Sequence, residues 1–353
     1  MQRRILQSSG VTDHGKGNCR TRTAVFTNHM MNKWLDGMMG LIVGDALGVP
    51  VQFMEKEEII SRENGPVKGM ESGGVYDMPA GTWSDDGSMA LATLDSIVKN
   101  KGIDLTDIME CFCKWELEGE YTQYGEAFDQ GNTCTEAIYR YVKDKNIATC
   151  GCTDENSNGN GSLMRILPAC IFLSLDQETS EEDKMELIHK VSGLTHNHPR
   201  SKIACGLYYA MVDALLYAGD KSSLKDILQT GIDNGLKYYG RNKENDYEMK
   251  HFTRLFRLEE LQQTLEEDMR SGGYVIETIE AAVWCLITTD SLRECLLKVV
   301  NMGDDTDTVA AVAGGLAGLY YGVDAIPKEW LEEIPKKKYV EDLCEKASLL
   351  QKR

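Results

Sequence analysis

Apolar residues recur along this chain with the three- and four-residue spacing of helices, and no stretch sustains the alternation of a β-strand. The segments with this spacing are 34–48, 89–98, 105–118, 203–218, 223–239, 276–286, 291–301, 309–319 and 339–350. Loops, turns and shorter polar motifs lie between them, and the charged stretch 242–267 is typical of a solvated face or a connecting helix. We therefore predict one compact all-α domain over residues 30–353.

Two of these helices are made largely of small apolar residues, which is typical of buried helices. The first, 34–48, has glycines at positions 37, 40, 44 and 48, a spacing that lets another helix pack closely. The other, 309–319, consists almost wholly of Ala, Gly, Val and Leu. Asp45 is the one acid in the apolar part of the first helix, so it is either paired in the core or directed at a site.

Composition and net charge narrow the possible classes of function. Residues 1–29 hold five Arg or Lys and one acid without an apolar period, and we expect a disordered basic leader or extension. The net charge of −18 argues against general binding to nucleic acid or to an anionic membrane. Eleven cysteines, an odd number spread through apolar helical runs, predict reduced core thiols and a cytoplasmic location. We expect no membrane-spanning segment, and a monomer.

Acidic residues cluster twice at the start of an apolar helix. The segment 303–308 carries three carboxylates and two hydroxyls before 309–319, and Ser84, Asp85 and Asp86 stand likewise before 89–98. Neighbouring carboxylates repel one another unless a positive charge lies between them. Oxygen ligands alone favour Mg²⁺, Mn²⁺ or Ca²⁺ over Zn²⁺, and two ions sharing bridging carboxylates would be usual for such a set. The alternative is two helix caps without metal.

Other polar segments allow two interpretations each. Asp129 precedes a helix expected near Thr135 and is either its cap, which the sequence favours, or an acid–base residue. The loop 156–162 is either a phosphate-binding loop, with its backbone N–H groups at a helix start, or simply flexible. The segment 65–81, rich in Gly and Pro, is long enough for a lid or a substrate loop.

Several motifs in order give the chain a resemblance to the ADP-ribosylglycohydrolase family, which includes the dinitrogenase-reductase-activating glycohydrolase and the ADP-ribosyl-arginine and ADP-ribosyl-serine hydrolases. The motifs are 44–48, 83–86, 128–132, 159–165, 195–196 and 303–308. The resemblance extends from about residue 34 to about residue 321. It implies an all-α fold with a central pair of Mg²⁺ or Mn²⁺ ions and a cleft for ADP-ribose.

The resemblance also implies roles for particular positions. Those that match the family's metal ligands are Ser84, Asp85, Asp86, Asp305, Asp307 and Thr308. Those that match its substrate contacts are Gln52, Asn132, Gly159, Asn160, Gly161, Ser162, Leu163, Met164, His196, Gly273 and Tyr274. Within that set, the loop 159–164 would hold the diphosphate, His196 would lie by the phosphate or the distal ribose, and Gly273 and Tyr274 would line the adenosine side. Asn132 and Asp129 would stand near the distal ribose. The expected catalytic residues are Asp129, Asp85 and Asp305, with a water held at the ion pair attacking the anomeric carbon and Asp129 managing the proton.

Two positions depart from the family pattern. Many members have Glu where this chain has Gln52, and an amide cannot act as a base. An arginine linkage in the modified protein, or a related small ADP-ribosyl conjugate, is therefore favoured over a serine linkage. The alternative is a catalytically weak or inactive relative with an ADP-ribose-binding or structural role. Asp304 stands where relatives commonly have Gly, so we expect it to point away from the ions. An isoprenoid synthase, a rival all-α Mg²⁺ enzyme, is disfavoured because the DDxxD spacing is absent.

Overall fold

Two long helices packed against each other form the centre of the molecule, seen in a computed structural model that describes residues 17–219 and 222–352 and the side chains of 33–219 and 222–350. The described α-helices are α1 (Gly17–Gly48), α2 (Lys56–Ser61), α3 (Asp85–Asn100), α4 (Leu105–Glu118), α5 (Asn132–Asp144), α6 (Leu167–Leu175), α7 (Glu181–Gly193), α8 (Pro199–Leu216), α9 (Leu224–Tyr239), α10 (Asp246–Met249), α11 (Leu258–Gln262), α12 (Val275–Ile287), α13 (Leu292–Val300), α14 (Thr306–Tyr321), α15 (Lys328–Glu333) and α16 (Lys337–Ser348). Short 3-10 helices cover Val49–Val51, Lys243–Asn245, Lys250–Phe256, Glu266–Asp268, Val323–Ala325 and Leu349–Lys352. The described chain has isolated β-bridges but no strand, so the predicted all-α domain is confirmed.

Glycines allow the two central helices, α1 and α14, to touch backbone to backbone. A Cβ atom at Gly40 would lie 2.2 Å from the carbonyl oxygen of Gly314, and one at Gly44 would lie 2.0 Å from that of Ala310. No side chain fits at either distance, so the small-residue pattern of both helices is a packing requirement. The other long helices surround this pair.

Capping residues fix where several outer helices begin. Ser180 before α7, Ser223 before α9 and Ser291 before α13 each accept a hydrogen bond from a backbone N–H of the first turn. Asp104 does the same for α4, whose observed bounds are those predicted from the sequence. Such caps satisfy donors that the helix itself leaves unpaired.

The charged stretch 242–267 differs from the rest of the chain. It is broken into short 3-10 and α-helical pieces rather than forming one connecting helix. Several of its apolar residues, such as Phe252, Leu255 and Leu258, are buried, while most of its charged side chains are exposed. The stretch thus covers the core with a solvated outer face.

The N-terminal helix begins earlier than the sequence predicts. Helix α1 starts at Gly17, inside the segment 1–29 that we expect to be a disordered leader. Residues 1–16 lie outside the described part of the chain, and for them the leader stays a prediction. From Gly17 onward the backbone is helical, which costs little because an existing helix gains one hydrogen bond for each added residue.

One described helical stretch, Lys33–Val51, is long and apolar enough to cross a bilayer. However, 94% of it is buried inside the protein. Its composition is that of a central core helix. The ten cysteines of the described chain are all buried and free, as expected for core thiols.

Candidate active site

Three buried carboxylates meet where α1, α3 and α14 come together. Asp45, Asp86 and Asp307 each place an oxygen within 4.8 Å of the other two, and all three are at most 1% exposed. Asp86 lies in the first turn of α3, and Asp307 lies in the first turn of α14. The fold therefore brings together the two acidic clusters, which lie about 220 residues apart in the sequence.

The position of Asp45 follows from the glycines beside it. A Cβ atom at Gly48 would lie 2.3 Å from the Cα of Asp307, so α1 passes directly over the start of α14. The Asp45 carboxylate accepts hydrogen bonds from the backbone N–H groups of Ser84 and Gly87, each at 2.8 Å. Both interpretations of Asp45 are thus correct, since it is paired in the core and also adjoins the acidic cluster.

Hydroxyl groups surround Asp86. Its Oδ2 accepts from Ser84 Oγ at 3.0 Å and from Thr308 Oγ1 at 3.4 Å. Its Oδ1, like the Oδ1 of Asp307, is buried and receives no hydrogen bond within the described chain. Buried polar atoms are almost always partnered, so these two oxygens point to a missing ligand.

The electrostatics of the cluster indicate that the ligand is positive. Burial, followed by the neighbouring carboxylates, raises the pKa of Asp85, Asp86 and Asp307 well above the usual value. Burial raises the pKa of Asp45 to about 7, against the lowering effect of its backbone hydrogen bonds. None of the ion pairs of the described chain includes any of these carboxylates. An all-oxygen set of this kind fits Mg²⁺ or Mn²⁺.

A cavity of about 230 Å³ opens beside the acidic cluster. Its lining includes three of the predicted metal ligands, Asp85, Asp305 and Thr308, and Asn160 donates to Asp305 Oδ2 at 2.7 Å. The complete lining is Gln52, Phe53, Asp85, Asp129, Gly131, Asn132, Thr133, Cys134, Gly159, Asn160, Gly161, Met164, His196, Asp305 and Thr308. We call the part formed by Asp85, Asp305 and Thr308 the acidic end.

A second part of the lining, which we call the glycine end, is formed by Gly159, Gly161 and His196. A Cβ atom at Gly161 would lie 2.9 Å from His196 Cε1, and one at Gly159 would lie 3.6 Å from His196 Nε2. The imidazole thus lies against the glycine loop. No carboxylate lines this end.

Burial and the nearby Arg165 lower the pKa of His196 to about 3, so the ring is neutral at pH 7. Arg165 is fully buried and donates to Thr195 Oγ1 at 2.7 Å, and Thr195 Oγ1 lies 2.9 Å from His196 Nδ1. Arg165 uses one of the two acceptor positions of the Thr195 hydroxyl, whose own proton can be donated to Nδ1. In that arrangement the His196 proton is on Nε2, the nitrogen nearest Gly159.

Several predicted residues do not reach the cavity. Ser84, Asp86 and Asp307 lie behind the acidic end, whereas Ser162 and Leu163 are buried in the core. Ser162 accepts from Ser192 Oγ at 2.9 Å. Leu163 turns inward because a helix does not start at the loop. The chain makes a further turn, and α6 begins only at Leu167.

The predicted adenosine contacts, Gly273 and Tyr274, adjoin the glycine loop without lining the cavity. The carbonyl oxygen of Gly273 accepts from the backbone N–H of Asn160 at 3.0 Å, and Tyr274 forms an isolated bridge with Gly159. These contacts brace the loop.

Asp129 is not a helix cap, which corrects the interpretation that the sequence favours. Helix α5 begins at Asn132 after Gly131, and no side chain caps it. The backbone of Asp129 is left-handed, with φ of 63°, and its Oδ1 accepts from Tyr76 Oη at 2.8 Å. Asp129 and Asn132 both line the cavity, which places Asp129 beside the acidic end. Tyr76 comes from the predicted lid segment 65–81.

Sequence reasoning missed four residues at or beside the cavity. Phe53, Thr133 and Cys134 line it, and Tyr76 orients Asp129. Of these four, only Phe53 could have been found from the sequence, because it directly follows Gln52. As expected, Asp304 is exposed and stands outside the cluster.

A second group of possible metal ligands lies elsewhere, formed by Glu155, His198 and Glu248. Arg200 already occupies it, with Nη2 2.7 Å from Glu155 Oε1 and Nε donating to Glu248 at 2.8 Å. His198 caps α8 by accepting from the backbone N–H of Arg200. This group is an ion-pair network.

Comparisons with known proteins agree with this site. A sequence model of the family described as ADP-ribosylglycohydrolase matches residues 27–353. The chain is 29% identical to the ADP-ribosylarginine hydrolase Tri1 of Serratia proteamaculans, over 89% of this chain and 78% of that protein. It is 32% identical to the ADP-ribosyl-[dinitrogen reductase] glycohydrolase of Rhodospirillum rubrum, over 86% and 90% of the two chains. A solved structure, an ADP-ribosylglycohydrolase-related protein complex, superposes with a TM-score of 0.72 at 27% identity, covering 92% of this chain and 99% of the other.

Proposed function

The chain belongs to the ADP-ribosylglycohydrolase family and is a glycohydrolase that reverses ADP-ribosylation; we propose that it depends on two Mg²⁺ or Mn²⁺ ions and releases ADP-ribose from modified arginine side chains. The observation that carries the proposal is the buried acidic cluster, which has no positive partner within the described chain, at one end of a cavity. The relative from Serratia proteamaculans, named an ADP-ribosylarginine hydrolase, supports the linkage.

The residues that would hold the ions are the six predicted ligands. They are Ser84, Asp85, Asp86, Asp305, Asp307 and Thr308, with Asp45 bracing the start of α3 behind them. When bound, such ions lower the pKa of water and stabilise developing negative charge. Asn160 orients the Asp305 carboxylate through its 2.7 Å hydrogen bond.

The other cavity residues bind substrate and move a proton. The loop at Gly159 to Gly161, with the neutral His196 as donor, would hold the diphosphate. Asp129 is the acid–base residue, because its carboxylate lines the cavity and is held by the Tyr76 hydroxyl. As the water oxygen bonds to the anomeric carbon and the bond from that carbon to the arginine nitrogen breaks, Asp129 would take the proton that the water loses and pass it to the departing nitrogen.

Gln52 supports the arginine linkage. Its side chain is 3% exposed, and neither its amide oxygen nor its amide nitrogen has a hydrogen-bond partner within the described chain. An amide cannot act as a base to activate the water that would release a serine side chain. The proposal extends to a cytoplasmic monomer, for which the buried free cysteines support the compartment.

The test offers peptides carrying arginine-linked and serine-linked ADP-ribose to the protein with Mg²⁺ or Mn²⁺, and with EDTA. We expect release from the arginine-linked peptide only, and only with the cation. Asp305→Ala is the matched control and should release almost nothing. Tight binding of ADP-ribose without any release would instead indicate a binding relative, and faster release from the serine-linked peptide would reject the proposed linkage.

A further inference from the structure

Phe53 is an unusual residue at the mouth of the cavity. Its side chain is 60% exposed, and its backbone is left-handed, with φ of 65°. A bulky residue in this conformation is an outlier, and Gly or Asn would occupy the position with less strain. An exposed aromatic ring kept at a strained position and lining a cavity indicates a role in binding.

Backbone hydrogen bonds connect Phe53 to the acidic end. Its backbone N–H donates to the carbonyl oxygen of Asp304 at 2.7 Å, and the backbone N–H of Asp304 donates to the carbonyl oxygen of Met54 at 2.8 Å. An isolated antiparallel bridge between Glu55 and Gly303 continues this pairing. Asp305 follows directly, so the backbone of Phe53 is held beside that of a predicted ligand of the ions.

The charge of the cavity shows which leaving group suits this position. No Lys or Arg of the described chain lines the cavity, whereas Asp85, Asp129 and Asp305 do. With the diphosphate at the glycine end and the scissile bond at the acidic end, the leaving group would lie among the remaining lining residues, which include Asp129 and Phe53. A planar cation there would face carboxylates and the Phe53 ring.

We propose that Phe53 forms the leaving-group subsite, where its ring stacks on the guanidinium plane of the ADP-ribosylated arginine. This inference rests on the proposed function and adds the residue that recognises the arginine. Guanidinium groups stack on aromatic faces, while a serine hydroxyl has no comparable interaction. Phe53 therefore acts as a specificity-determining residue.

The test compares Phe53→Leu, which keeps an apolar side chain, with Phe53→Trp, which keeps an aromatic face. For the arginine-linked peptide, Phe53→Leu should lower kcat/KM roughly tenfold, mainly through KM. Phe53→Trp should stay close to the wild type. Affinity for free ADP-ribose, measured by calorimetry, should be the same in all three proteins, because ADP-ribose lacks the leaving group and because unchanged affinity shows a folded site.

The outcomes separate the two claims. An active wild type whose kcat/KM is unchanged in Phe53→Leu would overturn the subsite and leave the proposed function standing. An equal loss of kcat/KM and of ADP-ribose affinity would also overturn it, since the ring would then act on the whole cavity. A wild type that releases nothing from the arginine-linked peptide would reject the proposed function and the subsite together.

Discussion

The acidic end and the glycine end of one cavity are built on opposite electrostatic principles. At the acidic end, buried carboxylates have raised pKa values and no ion pair within the described chain. At the glycine end, no carboxylate lines the wall and His196 is neutral. The buried Arg165 lies behind His196 and forms no ion pair with any residue that the structure describes. One end is suited to cations and the other to an anion, which matches an ADP-ribose held between metal ions and a phosphate loop.

The largest expected effect comes from changing the charge of the acidic end with Asp86→Asn. The variant should lose roughly a thousandfold in kcat, because a bound metal ion supplies several kcal/mol of charge stabilisation. The metal-free variant should nevertheless melt at a higher temperature than the metal-free wild type, since one repelling carboxylate is gone. Calorimetric melting of both proteins, with EDTA and with Mn²⁺, measures the difference between their melting temperatures.

Asp304→Asn is the matched control for that variant. Asp304 is an exposed acid of the same segment and lies outside the cluster. The activity of the Asp304→Asn variant and its stabilisation by Mn²⁺ should match those of the wild type. If Asp86→Asn gained as much stability from Mn²⁺ as the wild type does, the acidic end would not be the metal site.

The next effect tests the glycine end with Gly161→Ala. The added Cβ would lie 2.9 Å from Cys134 Sγ and from His196 Cε1, so the ring has to move. Overpacking of this kind costs about 1–3 kcal/mol, and we expect ADP-ribose affinity to fall by roughly a factor of ten or more. Mn²⁺ binding should not change. Gly159→Ala, whose Cβ meets its neighbours at 3.6 Å or more, should have a smaller effect; equal effects would contradict this geometry.

A smaller effect is expected from Thr195→Val, which breaks the link between Arg165 and His196. The buried Arg165 loses its 2.7 Å acceptor, and the variant should be less stable by about 1–3 kcal/mol. The nitrogen chemical shifts of His196 should show a mixture of tautomers in place of a proton on Nε2. Thr195→Ser keeps the hydroxyl and should keep the single tautomer. A tautomer that is the same in all three proteins would show that Thr195 does not set it.

The smallest effect is the pH response of His196 itself. Its pKa of about 3 lies below the ordinary 6.5, so the unfolded chain binds this proton more tightly than the folded chain. Its contribution to stability is complete above pH 6.5 and is lost as the pH falls towards 3. Nuclear magnetic resonance from pH 8 to pH 5 should therefore show no titration of His196. A midpoint near 6.5 would place the ring in water.

Much of the fold follows from the sequence because helix periodicity and packing glycines are local signals. The spacing of Gly40 and Gly44 predicts close packing, and the structure supplies α14 as the partner. The acidic clusters at 84–86 and 303–308 were recognisable because carboxylates are rarely placed against apolar helices without a counter-charge. The sequence could not show that Asp45 joins them, since that depends on how two helices cross.

The features that escaped prediction depend on backbone conformation and on distant partners. The cap predicted at Asp129 failed because the residue adopts a left-handed conformation and bonds to Tyr76, 53 residues earlier. Phe53 takes its strained conformation from hydrogen bonds to Asp304. The predicted helix after the glycine loop begins later because a turn intervenes, which keeps Leu163 in the core.

The most direct test of the central claim is a titration of Mn²⁺ into protein stripped with EDTA, with the release of ADP-ribose from the arginine-linked peptide measured at each step. The account predicts no release from the stripped protein, and a rate that rises in step with metal occupancy up to two ions per chain. Release at the full rate from stripped protein, or a rate that does not follow occupancy, would contradict it.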